Sequence, residues 1–348
     1  MRGLILATAL VPTIGHQFLV NFGNSVLTGI NPNSNLYVLI SERSSEPTRG
    51  IDRIAAFQEQ FAHLPNIRFV LHSDDNAPQS DDGTPEFWNY WKNIIRQLTG
   101  QDQFDFVFGS EMYCLKLAEQ VGATFIPCDI ERSTIGISGT QVRNDILSRW
   151  DMIMPAFQKY IQTHVCVFGA ESCAKTTMTR NLHKHYSPDC DYTEEWARPY
   201  LEKFGPEVTD EHMNNITIGQ YALQNGLRNT SNIPLFFHDT DLLSTIGYYR
   251  IFGSQNKKYD IERLWRETKS DLYIVMNSNI PFEEDILRYG DGVRESTDQF
   301  WIDILEEFNC NYHYVKSTDR DEQLTEVSKV VNDFMIQKYS NIRDFVRD

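Results

Sequence analysis

The 348-residue chain has no C-x-x-C pair among its six cysteines, Cys114, Cys128, Cys166, Cys173, Cys190 and Cys310. Scattered thiols of this kind argue against a zinc site or a dithiol redox motif and suit a reducing compartment. No run of eighteen apolar residues occurs, so no membrane-spanning helix is expected. The opening run MRGLILATALVPTIGHQ holds one basic residue and ends in a turn without a small-residue cleavage site, which reads as a buried first strand rather than a leader. Positive charge is in deficit: the formal net charge is −16, which argues against general nucleic-acid binding through a basic face. Nucleotides remain open as ligands, because a few cations, backbone N–H groups and a divalent ion hold a phosphate even in an acidic protein. Internal repeats and low-complexity tracts are absent too.

What is present is a rhythm. Apolar runs at residues 3–9, 36–41, 67–72, 104–109 and 124–128 alternate with amphipathic stretches at 15–27, 49–63, 85–98 and 111–121. Strand–helix repetition with short connections predicts an α/β fold on a parallel, doubly wound sheet. The rhythm breaks over 145–160 and restarts at 163–168. Further strands are expected at 235–239, 271–276 and 312–315, with helices at 175–186, 211–228, 242–252 and 322–339. The expected domains are therefore 1–160 and 161–348.

Two places have the chemistry of anion cradles. After the first strand, Pro12-Thr13-Ile14-Gly15-His16 opens a helix. Free N–H groups at such a start attract phosphate, and Gly15 allows close backbone approach. His16, in the first turn, can donate to a phosphoryl oxygen. At the other end of the same domain, Ile137-Ser138-Gly139-Thr140-Gln141-Val142-Arg143 starts another helix. Ser138 and Thr140 can cap it and face a triphosphate, and Arg143 can reach back as a bidentate phosphate ligand. The pair is the signature of nucleotidyltransferases of the T/H-x-G-H type. Between them, the aromatic cluster Phe87-Trp88-Asn89-Tyr90-Trp91 reads either as core or as a platform on which Trp88 or Trp91 stacks a flat ring.

The second place is Gly169-Ala170-Glu171-Ser172-Cys173-Ala174-Lys175-Thr176-Thr177, between a strand and a helix as a phosphate loop must be. Lys175 is expected on the β- and γ-phosphates and Thr176 on magnesium. Ala174 replaces the usual loop glycine. It removes no N–H donor; its cost is small at a right-handed φ and roughly 1 kcal/mol or more at a positive φ. His238-Asp239-Thr240-Asp241 ends an apolar strand, where carboxylates can meet the metal and an acceptor hydroxyl. Asp291-Gly292-Val293-Arg294 reads as a lid delivering Arg294. Glu195 and Arg198, in the stretch 192–198, are candidates to contact the acceptor.

The order of these pieces resembles the bifunctional NadR-type proteins, in which a nicotinamide mononucleotide adenylyltransferase is joined to a ribosylnicotinamide kinase. The resemblance runs through T-I-G-H, D-D-N-A-P…F-W-N-Y-W, G-S-E, D-I-E-R, I-S-G-T-Q-V-R, G-A-E-S-C-A-K-T, E-W-A-R, H-D-T-D and D-G-V-R. It implies a Rossmann-like nucleotidyltransferase domain followed by a P-loop kinase domain. It also implies ATP with Mg2+ in both steps and nicotinamide riboside, its mononucleotide and NAD as small-molecule ligands. Thr13, Gly15, His16, Ser138, Thr140 and Arg143 would then hold the first triphosphate, with His16 and Arg143 catalytic. Lys175, Asp239, Asp241 and Arg294 would serve the kinase step, with Thr176 and Asp239 on the metal and Glu195, Arg198 and Asp239 near the riboside.

Three departures stand out: Ala174, a first strand ending in Thr8-Ala9-Leu10-Val11-Pro12 instead of G-x-F-x-P, and a T-I-G-H that begins at residue 13. The last leaves no room for the helix-turn-helix repressor domain of longer members, so no DNA partner is implied. A cytoplasmic location and no membrane partner are expected, and a homo-oligomer is compatible. Competing readings are an adenylyltransferase with a silent kinase domain, a transferase for another phosphorylated acceptor, and a non-catalytic NAD sensor.

Overall fold

A computed structural model of the chain describes residues 1–78, 81, 84–205, 208–253, 256–279 and 297–345. Backbone contacts divide it into two compact units, Met1–Tyr160 with Lys338–Asp348, and Ile161–Gln337. Each unit is an α/β layer structure on its own five-stranded parallel sheet.

The first unit runs β1 (Arg2–Ala7), α1 (Ile14–Ile30), β2 (Asn35–Glu42), α2 (Gly50–Gln60), β3 (Ile67–Ser73), α3 (Pro85–Thr99), β4 (Phe106–Gly109), α4 (Tyr113–Gln120), β5 (Thr124–Pro127), α5 (Gly139–Asn144) and α6 (Pro155–Gln158). The sheet order is β3-β2-β1-β4-β5. Every strand pair is parallel, so each crossover needs a helix, and both faces are covered. The near-continuous apolar run of β2, with Leu36 to Ile40 buried, is the sequence mark of such a doubly covered strand. Leu4, Leu39 and Val107 from the sheet pack with Ile95 of α3 and Leu117 of α4. Strand order reverses between β1 and β4, which opens a crevice at their carboxyl ends. The irregular stretch expected at 145–160 holds a single 3-10 turn, Trp150–Met152, and the short α6.

The second unit runs β6 (Thr163–Phe168), α7 (Lys175–Tyr186), β7 (Cys190–Thr193), α8 (Ala197–Phe204), α9 (Asp210–Thr230), β8 (Leu235–Asp239), α10 (Leu242–Ile251), α11 (Ile261–Thr268), β9 (Leu272–Val275), α12 (Asp298–Glu307), β10 (Tyr312–Tyr314) and α13 (Arg320–Arg343), whose last turns group with the first unit. Its sheet order is β10-β9-β6-β8-β7. β6 is fully buried and central. Phe168 and Tyr273 meet Leu243, Ile246 and Trp301 beneath it. The strands expected at 163–168 and 235–239 have those bounds. β7 was not anticipated: its CDYT sequence neither alternates nor forms an apolar run.

Parallel pairing of β6 with β8 sets Val167 opposite Asp239. The chain leaves β6 one residue later, so the strand-end aspartate stands beside the loop that begins at Gly169.

Candidate active sites

The first unit has a cavity of about 330 Å3 at the carboxyl ends of β1 and β4, lined by both helix starts singled out in the sequence. Thr13, the N-cap of α1, is 1% exposed. Its N–H donates to His16 Nδ1 over 3.1 Å, and its Oγ1 lies 2.8 Å from the same nitrogen. A backbone N–H can only donate, so Nδ1 accepts and the neutral ring carries its proton on Nε2. Burial, reinforced by Arg132 and Arg143, lowers the His16 pKa to about 4. At neutral pH His16 is therefore an uncharged donor on a cavity wall that it shares with Arg132 and Arg143.

Ser138 caps α5 reciprocally: its Oγ accepts from Gln141 N–H at 3.1 Å while its own N–H donates to Gln141 Oε1 at 2.8 Å. Thr140 Oγ1 accepts from Arg143 Nη2 at 3.1 Å, which turns the guanidinium back over the helix start. A methyl on Gly139 would lie 3.5 Å from Arg143 Nη1 and 3.6 Å from His16 Cε1. Those are ordinary contacts, so packing does not demand glycine there.

Arg132 belongs to the same wall and was not singled out as a site residue. The Asp129 carboxylate accepts from Thr134 N–H at 2.9 Å and Ile135 N–H at 3.1 Å, folding the loop that presents Arg132. Phe345, far along the chain, also lines the cavity, and no local pattern could have marked it. Trp88 and Trp91 do not line it. Trp91 is 6% exposed in the core beside Ile95, and its Nε1 donates to Pro78 O at 3.2 Å; Trp88 Nε1 donates to Asp81 Oδ2 at 3.2 Å. The ring-stacking expectation is thus corrected for Trp91, whose faces are consumed by core packing, and is not supported for Trp88.

The second unit has a cavity of about 630 Å3 over the loop between β6 and α7. Gly169 has φ +129°, and a Cβ there would meet Met276 O at 3.0 Å, so only glycine fits. Ser172 (φ 54°) and Ala174 (φ 64°) are both left-handed. Loops of this kind turn successive N–H groups toward one point, an anion nest. Ala174 pays the larger of the two costs foreseen, about 1–2 kcal/mol. Lys175 Nζ donates to Gly169 O at 3.1 Å and Ala170 O at 2.6 Å, within the loop that a phosphate would fill. Burial pulls the Lys175 pKa down, but Cys173, Glu195, Asp239 and Glu171 outweigh it and raise it. The ammonium stays charged.

Thr176 Oγ1 donates to Asp239 Oδ2 at 2.5 Å. The other carboxylate oxygen, Oδ1, is buried without a hydrogen-bond partner. Burial, then Glu195, pushes the Asp239 pKa up to about 6 against the Thr176 hydrogen bond and Lys175. Among the described residues no three His, Cys, Asp or Glu side chains group as a metal cage. One hydroxyl and one carboxylate are the partial, all-oxygen set that suits Mg2+, which takes the rest of its shell from phosphate and water. Glu195 and Arg198 line the same cavity, as do Leu201, Met213, Ile216 and Tyr248. Arg320 and Gln323, at the start of α13, complete it and were not foreseen.

Asp241 is placed elsewhere. It is 1% exposed and caps α10, accepting from Leu243 N–H at 2.9 Å and from the Tyr273 hydroxyl at 2.7 Å. Both oxygens serve the fold, which corrects the catalytic role expected of it. Arg294 lies outside the described residues.

Residues 164–323 match the AAA domain family. The trifunctional NAD biosynthesis/regulator protein NadR of Salmonella typhimurium is 24% identical over 304 residues, covering 85% of this chain and 72% of that protein; the Escherichia coli K12 protein of the same name matches over the same extent. A crystal structure of a NadR protein in complex with NR superimposes with a TM-score of 0.68 at 20% identity, covering 96% of both chains. A second, in complex with NAD and AMP-PNP, gives 0.65 at 20% identity, covering 100% of this chain and 97% of the other. Over most of its length, and in the order of its two parallel sheets, the chain is thus similar to the NadR proteins.

Proposed function

We propose that the chain carries out two consecutive ATP-dependent steps. The second unit phosphorylates nicotinamide riboside, and the first joins the resulting mononucleotide to AMP, giving NAD. The observation that carries this reading is the presence of two separate anion cradles. One is built on Thr13, His16 and Arg143, the other on Lys175, Thr176 and Asp239. The ligands of the two similar crystal structures, NR in one and NAD with AMP-PNP in the other, fit the same pair of steps.

In the kinase step the riboside 5′-hydroxyl oxygen attacks the γ-phosphorus of ATP in line, and the bond to the β-phosphate oxygen breaks to release ADP. Lys175 and the loop N–H groups hold the β- and γ-phosphates. Asp239, with one oxygen free of hydrogen bonds, takes the hydroxyl proton. Magnesium, held by Thr176 and Asp239, would neutralise charge on the transferring group. Leu201, Met213, Ile216 and Tyr248 offer the flat pyridinium ring, whose positive charge is delocalised, an apolar and aromatic surface to lie against.

In the adenylyl step a mononucleotide phosphate oxygen attacks the α-phosphorus of a second ATP, and pyrophosphate leaves. No covalent enzyme intermediate is needed. Neutral His16 donates from Nε2, while Arg132 and Arg143 offset the charge that develops. Positioning therefore accounts for most of the catalysis.

The test is a coupled assay with Lys175→Ala and His16→Ala. The first variant should lose riboside phosphorylation and keep conversion of the mononucleotide to NAD. The second should accumulate mononucleotide from riboside. Loss of both steps in both variants would refute a division of labour between the units.

A further inference from the structure

Gln220 lies mid-way along α9, is 2% exposed and lines the second cavity. Its Oε1 accepts from the Trp196 backbone N–H at 2.9 Å. That N–H can only donate, so the amide cannot flip: its oxygen faces Trp196 and its NH2 the other way. The NH2 carries two donors and has no hydrogen-bond partner. A buried donor left unmet costs about 1–3 kcal/mol. Met213 and Ile216, on the same helix, show that apolar side chains serve the cavity wall well. The amide therefore needs another explanation, and an acceptor atom entering the cavity supplies it.

The neighbouring chemistry narrows that atom. Glu195, next to Trp196 in the chain, lines the same cavity. Its carboxylate acts electrostatically on both Lys175 and Asp239, which places it toward the phosphoryl-transfer end. Gln220 Nε2 can only donate and an ionised Glu195 can only accept. A hydroxyl satisfies both, since it accepts one hydrogen bond and donates another. A phosphate or carboxylate would suit Gln220 but be repelled by Glu195.

We propose that Gln220 reads a hydroxyl of the acceptor's ribose, making the kinase cavity selective for ribosides over deoxyribosides. The proposal rests on the reading of this cavity as the phosphoryl-acceptor site.

The experiment measures kcat and KM of the full chain with ATP and two acceptors, nicotinamide riboside and its 2′,3′-dideoxy analogue. Wild type should favour the riboside in kcat/KM by about tenfold or more. Gln220→Glu keeps the acceptor for Trp196 N–H and removes the donor. It should raise the riboside KM by about tenfold and leave the KM for ATP within about twofold. The preference between the two acceptors should collapse. An unchanged preference in the variant, or an equal shift in the KM for ATP, overturns the proposal. Should the variant misfold, wild type alone decides: equal use of both acceptors overturns it. A wild-type chain that ignores nicotinamide riboside but phosphorylates other ribonucleosides sinks the pyridine reading, and Gln220 is then judged on the accepted nucleoside and its dideoxy form. A chain that phosphorylates no ribonucleoside overturns both.

Discussion

The Thr176 hydroxyl and the Asp239 carboxylate meet at 2.5 Å, tying the first turn of α7 to the end of β8. Neither residue is near the other in sequence. They meet because β6 and β8 are paired in parallel with Val167 opposite Asp239, and the phosphate loop starts two residues after Val167.

Asp239→Asn retains the shape of this contact and removes its charge. Riboside phosphorylation should fall by about 10²–10³-fold. The same preparation should convert mononucleotide to NAD at the wild-type rate. An equal loss in both steps would contradict the assignment.

The two steps should also part company with pH. Asp239, raised from 3.8 to about 6, must be ionised to take a proton. The kinase rate should therefore decline as pH falls through about 6. His16, lowered from 6.5 to about 4, stays neutral over that range. The adenylyl step should hold its rate down to about pH 5 and fail only as the ring protonates. Initial rates of each half-reaction across roughly pH 4.5–8 give the comparison.

His16 has a consequence for stability as well. Its folded pKa lies below its unfolded value, so the unfolded chain binds the extra proton between about pH 6.5 and about pH 4. Stability from this residue is present above 6.5 and lost as pH falls through that window. Melting curves of His16→Gln against wild type should converge on acidification; a gap that widens toward low pH has the wrong sign.

Ala174 sits at φ 64° and ψ 28°. Glycine there relieves about 1–2 kcal/mol of backbone strain and costs about 0.4–1 kcal/mol through the unfolded chain. Ala174→Gly should melt at the same or a slightly higher temperature, and Ala174→Val, β-branched, at a lower one. A clear loss of stability in the glycine variant would mean that this position is not left-handed.

Asp241 should behave as a structural residue. Asp241→Ala removes the α10 cap and leaves the buried Tyr273 hydroxyl without its acceptor, at a cost of about 2–4 kcal/mol. Denaturant melts of the second unit should register that loss. A fully stable variant with a dead kinase step would restore a catalytic role.

The three helix starts at α1, α5 and α7 were legible because each is local: a strand, a turn with glycine or a tolerated left-handed residue, and a helix start follow one another within a dozen residues or so. Thr13, His16, Ser138, Arg143, Lys175 and Thr176 all fall in such runs. The misreadings concern residues whose role is set by partners far away in sequence. Asp241 looked like Asp239, two positions earlier, until Tyr273 was brought against it by the pairing of strands in the same sheet. Trp91 reads as core or as platform because an amphipathic helix does not announce what covers its apolar face. Arg132 stands in the D-I-E-R run, which gave no role to its individual residues, while Gln220 and Arg320 reach their cavity from a mid-helix position and a distant helix start, neither of which carries a local sequence mark.

The central claim is that one chain uses two ATP sites in series. Nicotinamide riboside and Mg-ATP are incubated with the protein, and riboside, mononucleotide, NAD, ADP and pyrophosphate are followed together. The account predicts mononucleotide as a transient, NAD as the end product, and one ADP and one pyrophosphate formed for each NAD. Persistent riboside beside ready conversion of added mononucleotide, or NAD formed with no ADP released, would contradict it.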